Sequence, residues 1–277
     1  MSINARTKIT GLIGYPVEHS LSPDMHNAAF EHLGLNYCYI AMPVKPEGLS
    51  DAVKGIRALN FHGCNVTVPH KQEVIPLLDE IDDEAGFIGA VNTIRNDSGL
   101  LKGFNTDGRG FMESLKEAGV DPLGKDIFII GAGGAARAIG YYLAQRALRL
   151  YIFDVDSGKS LPLVRDLKKL NREVFAAEDR DSIRSSDIVI NATPLGLKKD
   201  DPLPLQMDLL RREQVVCDLI YWDTPLIKGA GEKGCKTVNG LGMLLWQGVL
   251  AFQIWTGAVP PVDLMREILV KGMEGRE

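Results

Sequence analysis

No run of residues in this 277-residue chain is both long enough and apolar enough to span a bilayer. A spanning helix needs about 20 consecutive apolar residues. The most apolar stretch, Leu241 to Trp255, is shorter and is broken by Gln247 and Gln253. It reads as a helix buried in the fold, where each amide needs a partner. An export signal is also missing: Met1 to Lys8 has no apolar core and leads straight into a strand-like segment, so a cytoplasmic location is expected. There is no excess of basic charge. A net charge of −5 without long runs of one sign argues against a nucleic-acid partner, so the expected ligand is a small molecule recognised locally. Cysteine is scarce, and Cys38, Cys64, Cys217 and Cys235 show neither a CxxC pair nor metal-ligand spacing. Reduced thiols are expected, with no disulfide and no metal site. His19, His26, His32, His62 and His70 lack the HExxH spacing of a zinc helix and read as packing or surface residues.

What is present is an alternation of strand and helix signals. Lys8 to Gly14, Tyr37 to Val44, Gly63 to Val68 and Ala90 to Arg95 have the composition of strands. Ser22-Pro23-Asp24 is a helix start, with a capping hydroxyl, proline at the first helical position and an acid in the first turn. Met25, Ala28, Ala29 and Leu33 then share a face, and Gly34 stops the helix. Leu49, Val53 and Ile56 mark a second helix, which predicts a β-α-β-α-β segment with a parallel sheet, and Asp97-Ser98-Gly99 marks a turn. A second series follows the turn at 121–125. Its apolar runs, Ile127 to Ile130, Leu150 to Phe153, Ile188 to Asn191 and Val215 to Leu219, are separated by helical segments, the pattern of a doubly wound sheet. After Gly240 the pattern is helical only, over about 240–256 and 261–273.

A chain of this length suits two domains. The expected architecture is a two-lobed α/β fold. A parallel-sheet lobe is built from both chain ends, residues 1–107 and 241–277, and a doubly wound Rossmann lobe, residues 108–240, is inserted between them. Domain boundaries favour ligand sites, so a cleft is expected where the lobes meet.

Gly131, Ala132, Gly133, Gly134 and Ala135 lie directly after an apolar strand and open a helix. In a dinucleotide fingerprint such glycines allow the tight turn and the approach of backbone to pyrophosphate, which rests on the helix N-terminus. Ala136 replaces the third fingerprint glycine, an accepted variant. The next strand ends at Asp154, near the position about 20 residues on where an acid binds the adenosine ribose. A carboxylate there favours NAD and repels the 2′-phosphate of NADP. No arginine follows at Val155 or Asp156, while Lys159 is a cation that partly favours NADP. The alternative reading of Asp154 is a helix cap.

In Asn65-Val66-Thr67-Val68-Pro69-His70-Lys71, Asn65 and Thr67 share one strand face and Lys71 follows the strand end, where parallel sheets open into a ligand crevice. Read singly, Lys71 is more readily a solvated surface lysine than a catalytic one, and Asn92 and Asp107 read more often as turn and cap residues. In one order, however, the chain carries HSLSP from His19, NVTVPHK from Asn65, GAVNT from Gly89, NTDG from Asn105, GAGGAA from Gly131, NATPLG from Asn191 and GLGMLLWQG from Gly240. In these motifs, which run through nearly the whole chain, it resembles the shikimate dehydrogenase family.

That resemblance implies a nicotinamide-dependent oxidoreductase that interconverts 3-dehydroshikimate and shikimate, working as a monomer or homodimer in aromatic amino acid biosynthesis. It implies Lys71 and Asp107 as the catalytic pair and Ser20 and Ser22 at the substrate carboxylate. Thr67, Asn92, Asp107 and Gln247 would bind ring hydroxyls, with Asn65 and Tyr221 also on the substrate. Thr193, Leu195, Leu219 and Tyr221 would line the nicotinamide pocket, and Gly240 and Met243 would close it. NADP-using members generally carry Asn-Arg-Thr where this chain has Asp154-Val155-Asp156, a departure that favours NAD. It also points to the alternative of a broad quinate/shikimate dehydrogenase, in which the space near Ser20, Ser22 and Tyr39 would decide acceptance of quinate. A more remote alternative is a non-catalytic dinucleotide sensor, which would have no need of Lys71 and Asp107 together.

Overall fold

The computed structural model describes residues 3–274. It divides into two compact units, one formed by the described residues up to Thr106 and those from Gln247 onward, the other by Asp107 to Trp246.

The first unit starts with β1 (Lys8–Gly14), α1 (Ser22–His32), β2 (Tyr37–Pro43), α2 (Leu49–Ala58) and β3 (Gly63–Val66). It continues with β4 (Glu80–Ile81), α3 (Asp83–Ile88), β5 (Thr93–Asp97) and β6 (Leu100–Phe104). These strands form one six-stranded sheet in the order β2-β1-β3-β5-β6-β4. The expected parallel pairing holds for β2-β1-β3; the two-residue β4, which carried no sequence signal, is also parallel to β6. Parallel pairing does not extend to β5, which runs antiparallel to both β3 and β6. The turn at Ser98 (φ 55°) and Gly99 (φ 97°) joins β5 and β6 as a hairpin, a connection that parallel strands cannot use, and so accounts for the antiparallel β5–β6 pair.

The first helix differs from its sequence signal in two details. Leu33 is its exposed C-cap and not part of the helix face. Leu21 is its N-cap, without a side-chain hydrogen bond, so the Ser22 hydroxyl is not the cap. Leu49, Val53 and Ile56 of α2 are buried against Ile13, Cys64, Val66 and Ile94 of the sheet, as the helical spacing requires.

The second unit contains α4 (Asp107–Glu117), β7 (Asp126–Ile130), α5 (Gly134–Ala144), β8 (Arg149–Phe153), α6 (Ser157–Leu167) and β9 (Val174–Ala176). It continues with β10 (Ile188–Asn191), β11 (Val215–Asp218), α7 (Pro225–Glu232) and β12 (Lys236–Val238). All of its strand pairs are parallel, in the order β12-β11-β10-β7-β8-β9. The order reverses at β7 and β10, and such a switch point opens a crevice at the carboxyl ends of the strands.

Two helices, α8 (Leu241–Thr256) and α9 (Val262–Glu274), end the described chain. The unit boundaries differ slightly from those expected. Asp107 goes with the second unit because it is the first residue of α4. Residues 241–246 join it as well, since Gly240 donates its amide to the Ile220 carbonyl and Gly242 packs on Ser114. The rest of α8 packs in the first unit, where Trp255 Nε1 donates to the Ile94 carbonyl at 2.9 Å. Among the described residues no helix is long and apolar enough to cross a membrane.

Candidate functional site

In the first unit, β3 stops at Val66, two residues earlier than expected, although Thr67 still donates its amide to the Ile13 carbonyl. The chain then turns: Val68 is exposed, His70 is buried with Nε2 2.7 Å from the Val44 carbonyl, and Lys71 is half-buried. The Lys71 carbonyl accepts from the Val91 amide at 2.7 Å, which joins this turn to the segment carrying Asn92.

Asn92 is buried and acts as a bracket. Its Oδ1 accepts from the Thr106 amide at 2.8 Å and the Thr93 hydroxyl at 2.9 Å, while its Nδ2 donates to Thr106 Oγ1 at 2.9 Å. Asn105 Nδ2 donates to the Ala90 carbonyl at 2.9 Å, so Ala90 to Asn92 is held against Asn105 and Thr106. The residue that follows Thr106 is Asp107, buried at the start of α4.

Asn65 has its side chain fully engaged by the protein. Its Oδ1 accepts from the Tyr39 hydroxyl at 2.8 Å, and its Nδ2 reaches the Asn92 carbonyl and Thr93 Oγ1, each at 3.1 Å. Tyr39 also neighbours Ser22, and burial pushes its phenol well above the usual range, keeping it neutral. Ser20 Oγ accepts from the Ser22 amide at 3.2 Å. Ser22, Tyr39, Asn65, Thr93, Asn92 and Thr106 thus form one buried polar network, which fixes these side chains because each unmade bond in a dry interior is costly. Gln247 lies half-buried on α8.

In the second unit the glycine loop sits at the switch point. Gly131 has φ 106°, and a Cβ there would lie 2.8 Å from the Ala192 carbonyl oxygen, so both its conformation and its space require glycine. Gly133 is the N-cap of α5 and has no side-chain cap, and nothing lies within 4 Å of where its Cβ would be. An uncapped helix start beneath open space suits a pyrophosphate. Ala135 lies in the first turn and Ala136 is buried.

Asp154 is not a helix cap: that role belongs to Asp156, whose Oδ1 accepts from the Gly158 amide at 2.9 Å. Asp154 Oδ2 instead accepts from the Ala132 amide of the glycine loop at 2.8 Å, with Oδ1 taking the Asp156 amide at 2.9 Å. Lys159 is exposed and lies 3.8 Å from Asp156. Loop, helix start and acid together fit a dinucleotide, and the second unit is a dinucleotide-binding fold.

At the ends of β10 and β11, Asp218 organises the segments that carry Thr193, Leu195, Leu219 and Tyr221. Its Oδ1 accepts from Asn191 Nδ2 at 3.1 Å and from the Ile220 amide at 3.1 Å, and its Oδ2 accepts from Thr224 Oγ1 at 2.7 Å. Asn191 Oδ1 accepts from the Thr193 hydroxyl at 2.6 Å, and Asn191 Nδ2 reaches the Leu195 carbonyl at 3.1 Å. Burial raises the Asp218 pKa above the ordinary carboxylate value. Gly240 has a packing reason, since a Cβ there would lie 2.1 Å from the Leu219 carbonyl oxygen. Met243 is buried.

Thr93, Thr106, Asn191, Asp218 and Thr224 were not assigned from sequence as supports of the site, and Tyr39 was expected only to border the space that decides acceptance of quinate. Thr93, Thr106 and Asn191 stand inside the GAVNT, NTDG and NATPLG motifs, which was the available signal; Asp218 and Thr224 gave none.

Comparison with known proteins agrees with this geometry. The shikimate dehydrogenase substrate binding domain matches residues 12–94, and the shikimate 5′-dehydrogenase C-terminal domain matches residues 240–270. The chain is 48% identical to the shikimate dehydrogenase (NADP+) of Desulforamulus reducens, over 97% of each chain. It superposes with a TM-score of 0.92 on the crystal structure of shikimate dehydrogenase from Aquifex aeolicus, at 41% identity, covering 97% of this chain and 99% of that one. The Listeria monocytogenes shikimate 5-dehydrogenase in complex with shikimate and NAD gives a TM-score of 0.88 at 43% identity, covering 97% and 98%. With two domain matches at its ends and this level of identity along almost all of its length, the chain belongs to the shikimate dehydrogenase family.

Proposed function

We propose that the protein catalyses the reversible, nicotinamide-dependent reduction of 3-dehydroshikimate to shikimate. The observation that carries this reading is the 48% identity to a shikimate dehydrogenase over 97% of the chain. In it, Ser20 and Ser22 hold the substrate carboxylate with hydroxyl and amide donors suited to an anion. Thr67, Asn92, Asp107, Gln247 and Tyr221 bind the ring oxygens, and Asn65 aligns the network behind them.

Lys71 and Asp107 act as the acid and base pair. In reduction, the Lys71 ammonium gives a proton to the substrate oxygen while the carbonyl carbon accepts a hydride; in oxidation, the amine takes the hydroxyl proton back. Asp107 accepts a hydrogen bond from the amine and orients it. When bound, the nicotinamide dinucleotide supplies or accepts the hydride. The 131–135 loop and Asp154 hold its adenosine and pyrophosphate end. Thr193, Leu195, Leu219, Gly240 and Met243 shape the nicotinamide end.

The finer part of the reading is a preference for NAD over NADP. It is supported by the Asp154 carboxylate at the end of β8 and by the NAD in the Listeria complex. Against it weigh the names of the Desulforamulus protein and of other relatives 41–48% identical, which specify NADP+, and the NADP+ and NADP(H) held by two solved shikimate dehydrogenases. A steady-state matrix of shikimate and quinate against NAD and NADP tests both parts. Shikimate with NAD should give the highest kcat/KM. No oxidation of shikimate with either cofactor would overturn the activity, and comparable turnover of quinate would make this a broad quinate/shikimate enzyme.

A further inference from the structure

Arg180 lies outside every sequence motif, yet its guanidinium carbon sits 4.5 Å from the centre of the Phe153 ring. Phe153 is the last residue of β8, its carbonyl accepts from the Gly131 amide at 2.7 Å, and the next residue is Asp154. The strands explain the proximity. Residue Ala176 at the end of β9 pairs with Ile152, and Ala177 donates to the Ile152 carbonyl at 2.9 Å, so the segment after β9 emerges beside the end of β8.

The backbone around Arg180 is well held. Asp181 donates its amide to Asp179 Oδ1 at 2.8 Å, Ile183 donates its amide to the Arg180 carbonyl at 3.0 Å, and Ile183 is buried. The side chain is half-buried, and its Nε is shielded from solvent without a hydrogen-bond partner among the described residues. The shielded Nε is out of a ligand's reach, but a guanidinium held by one face on an aromatic ring still has its terminal N–H groups to offer a ligand at its exposed edge.

We infer that Arg180 is a specificity-determining residue that engages the 2′-phosphate of NADP, offsetting the repulsion from Asp154 and keeping NADP within reach of an enzyme that favours NAD. The inference rests on the cofactor reading above. A guanidinium presents paired donors to phosphate oxygens, and an arginine near the ribose acid is the usual means of accommodating this group. Lys159, which the sequence offered for the role, is exposed beside Asp156. Glu178, Asp179 and Asp181, all exposed, neighbour Arg180 in the chain and weaken its field, so the cation balances Asp154 without reversing it.

Calorimetric titration of the ligand-free protein with adenosine 2′,5′-bisphosphate and with 5′-ADP tests this without turnover. Arg180→Gln should weaken the bisphosphate by about tenfold or more, leave 5′-ADP within about twofold, and Arg180→Lys should recover part of the loss. Unchanged bisphosphate affinity would make Arg180 only a packing partner of Phe153, and an equal loss for both ligands would make it an adenine-stacking group; either overturns the inference. Arg180-dependent binding in a wild type that prefers the bisphosphate would sustain it while overturning the NAD preference. Wild-type protein that binds neither ligand would overturn both. A thermal melt of each variant separates these outcomes from misfolding.

Discussion

The Val91 amide donates to the Lys71 carbonyl at 2.7 Å, so the main chain of the proposed proton donor is held by a neighbouring loop. Lys71→Ala should therefore fold normally. We expect kcat to fall by about 10²–10⁴, the usual share of a positioned acid or base, with KM for shikimate changed by only several-fold. Steady-state kinetics decide it: equal losses in binding and turnover would make Lys71 a positioning group, and near-normal turnover would remove it from the mechanism.

Asp107→Asn should damage both kcat and KM, because Asp107 is assigned a substrate hydroxyl as well as the lysine. Unchanged parameters would count against the pair.

Replacing Asp154 tests the cofactor preference. A carboxylate about 4 Å from a phosphate charge costs roughly 1 kcal/mol at a water-like dielectric and about 4 kcal/mol at an effective value of 20. Asp154→Asn keeps one oxygen for the Ala132 amide and removes the charge, so the NADP-to-NAD ratio of kcat/KM should rise several-fold. A constant ratio would leave Asp154 as a loop tether alone.

His26 should make the protein acid-sensitive. Neither of its ring nitrogens has a hydrogen-bond partner among the described residues, and its ring packs with Phe30, Tyr39, Phe252 and Trp255. Burial lowers its pKa from 6.5 to about 3. Below pH 6.5 the unfolded chain therefore takes up a proton that the folded protein refuses until about pH 3, so stability is complete above 6.5 and declines as the pH falls. One proton gives a slope of at most about 1.4 kcal/mol per pH unit. Urea unfolding of His26→Phe between pH 7 and 5 should show a correspondingly shallower loss than wild type; identical slopes would place the sensitivity elsewhere.

Gly63→Ala should destabilise the first unit. Its new Cβ would lie 2.1 Å from Trp255 Nε1 and 2.8 Å from the Ile94 carbonyl oxygen, and overpacking of this kind costs about 1–3 kcal/mol. Trp255→Phe should recover part of the loss in the double variant, because the two residues share one space. Strict additivity in denaturant melts would mean that the indole is not the obstacle.

Much of this protein was determined by its sequence alone, wherever the signal was local. The β1 and β10 boundaries, the face of α2, the stop at Gly34 and the turn at Ser98-Gly99 follow from side-chain periodicity and from glycine's access to positive φ. The glycine loop between β7 and α5 was legible for the same reason, since backbone turn and helix start are written in consecutive residues. Tertiary structure alone decided what depends on partners distant in the chain. Strand order turned β5 against its neighbours, brought Arg180 onto Phe153 and aimed Asp154 at Ala132 instead of its own helix. The same holds for Tyr39 with Asn65, Asn92 with Thr106, and Asp218 with Asn191 and Thr224. In each of these, burial makes an unpartnered polar group costly, but only packing determines which partner answers it.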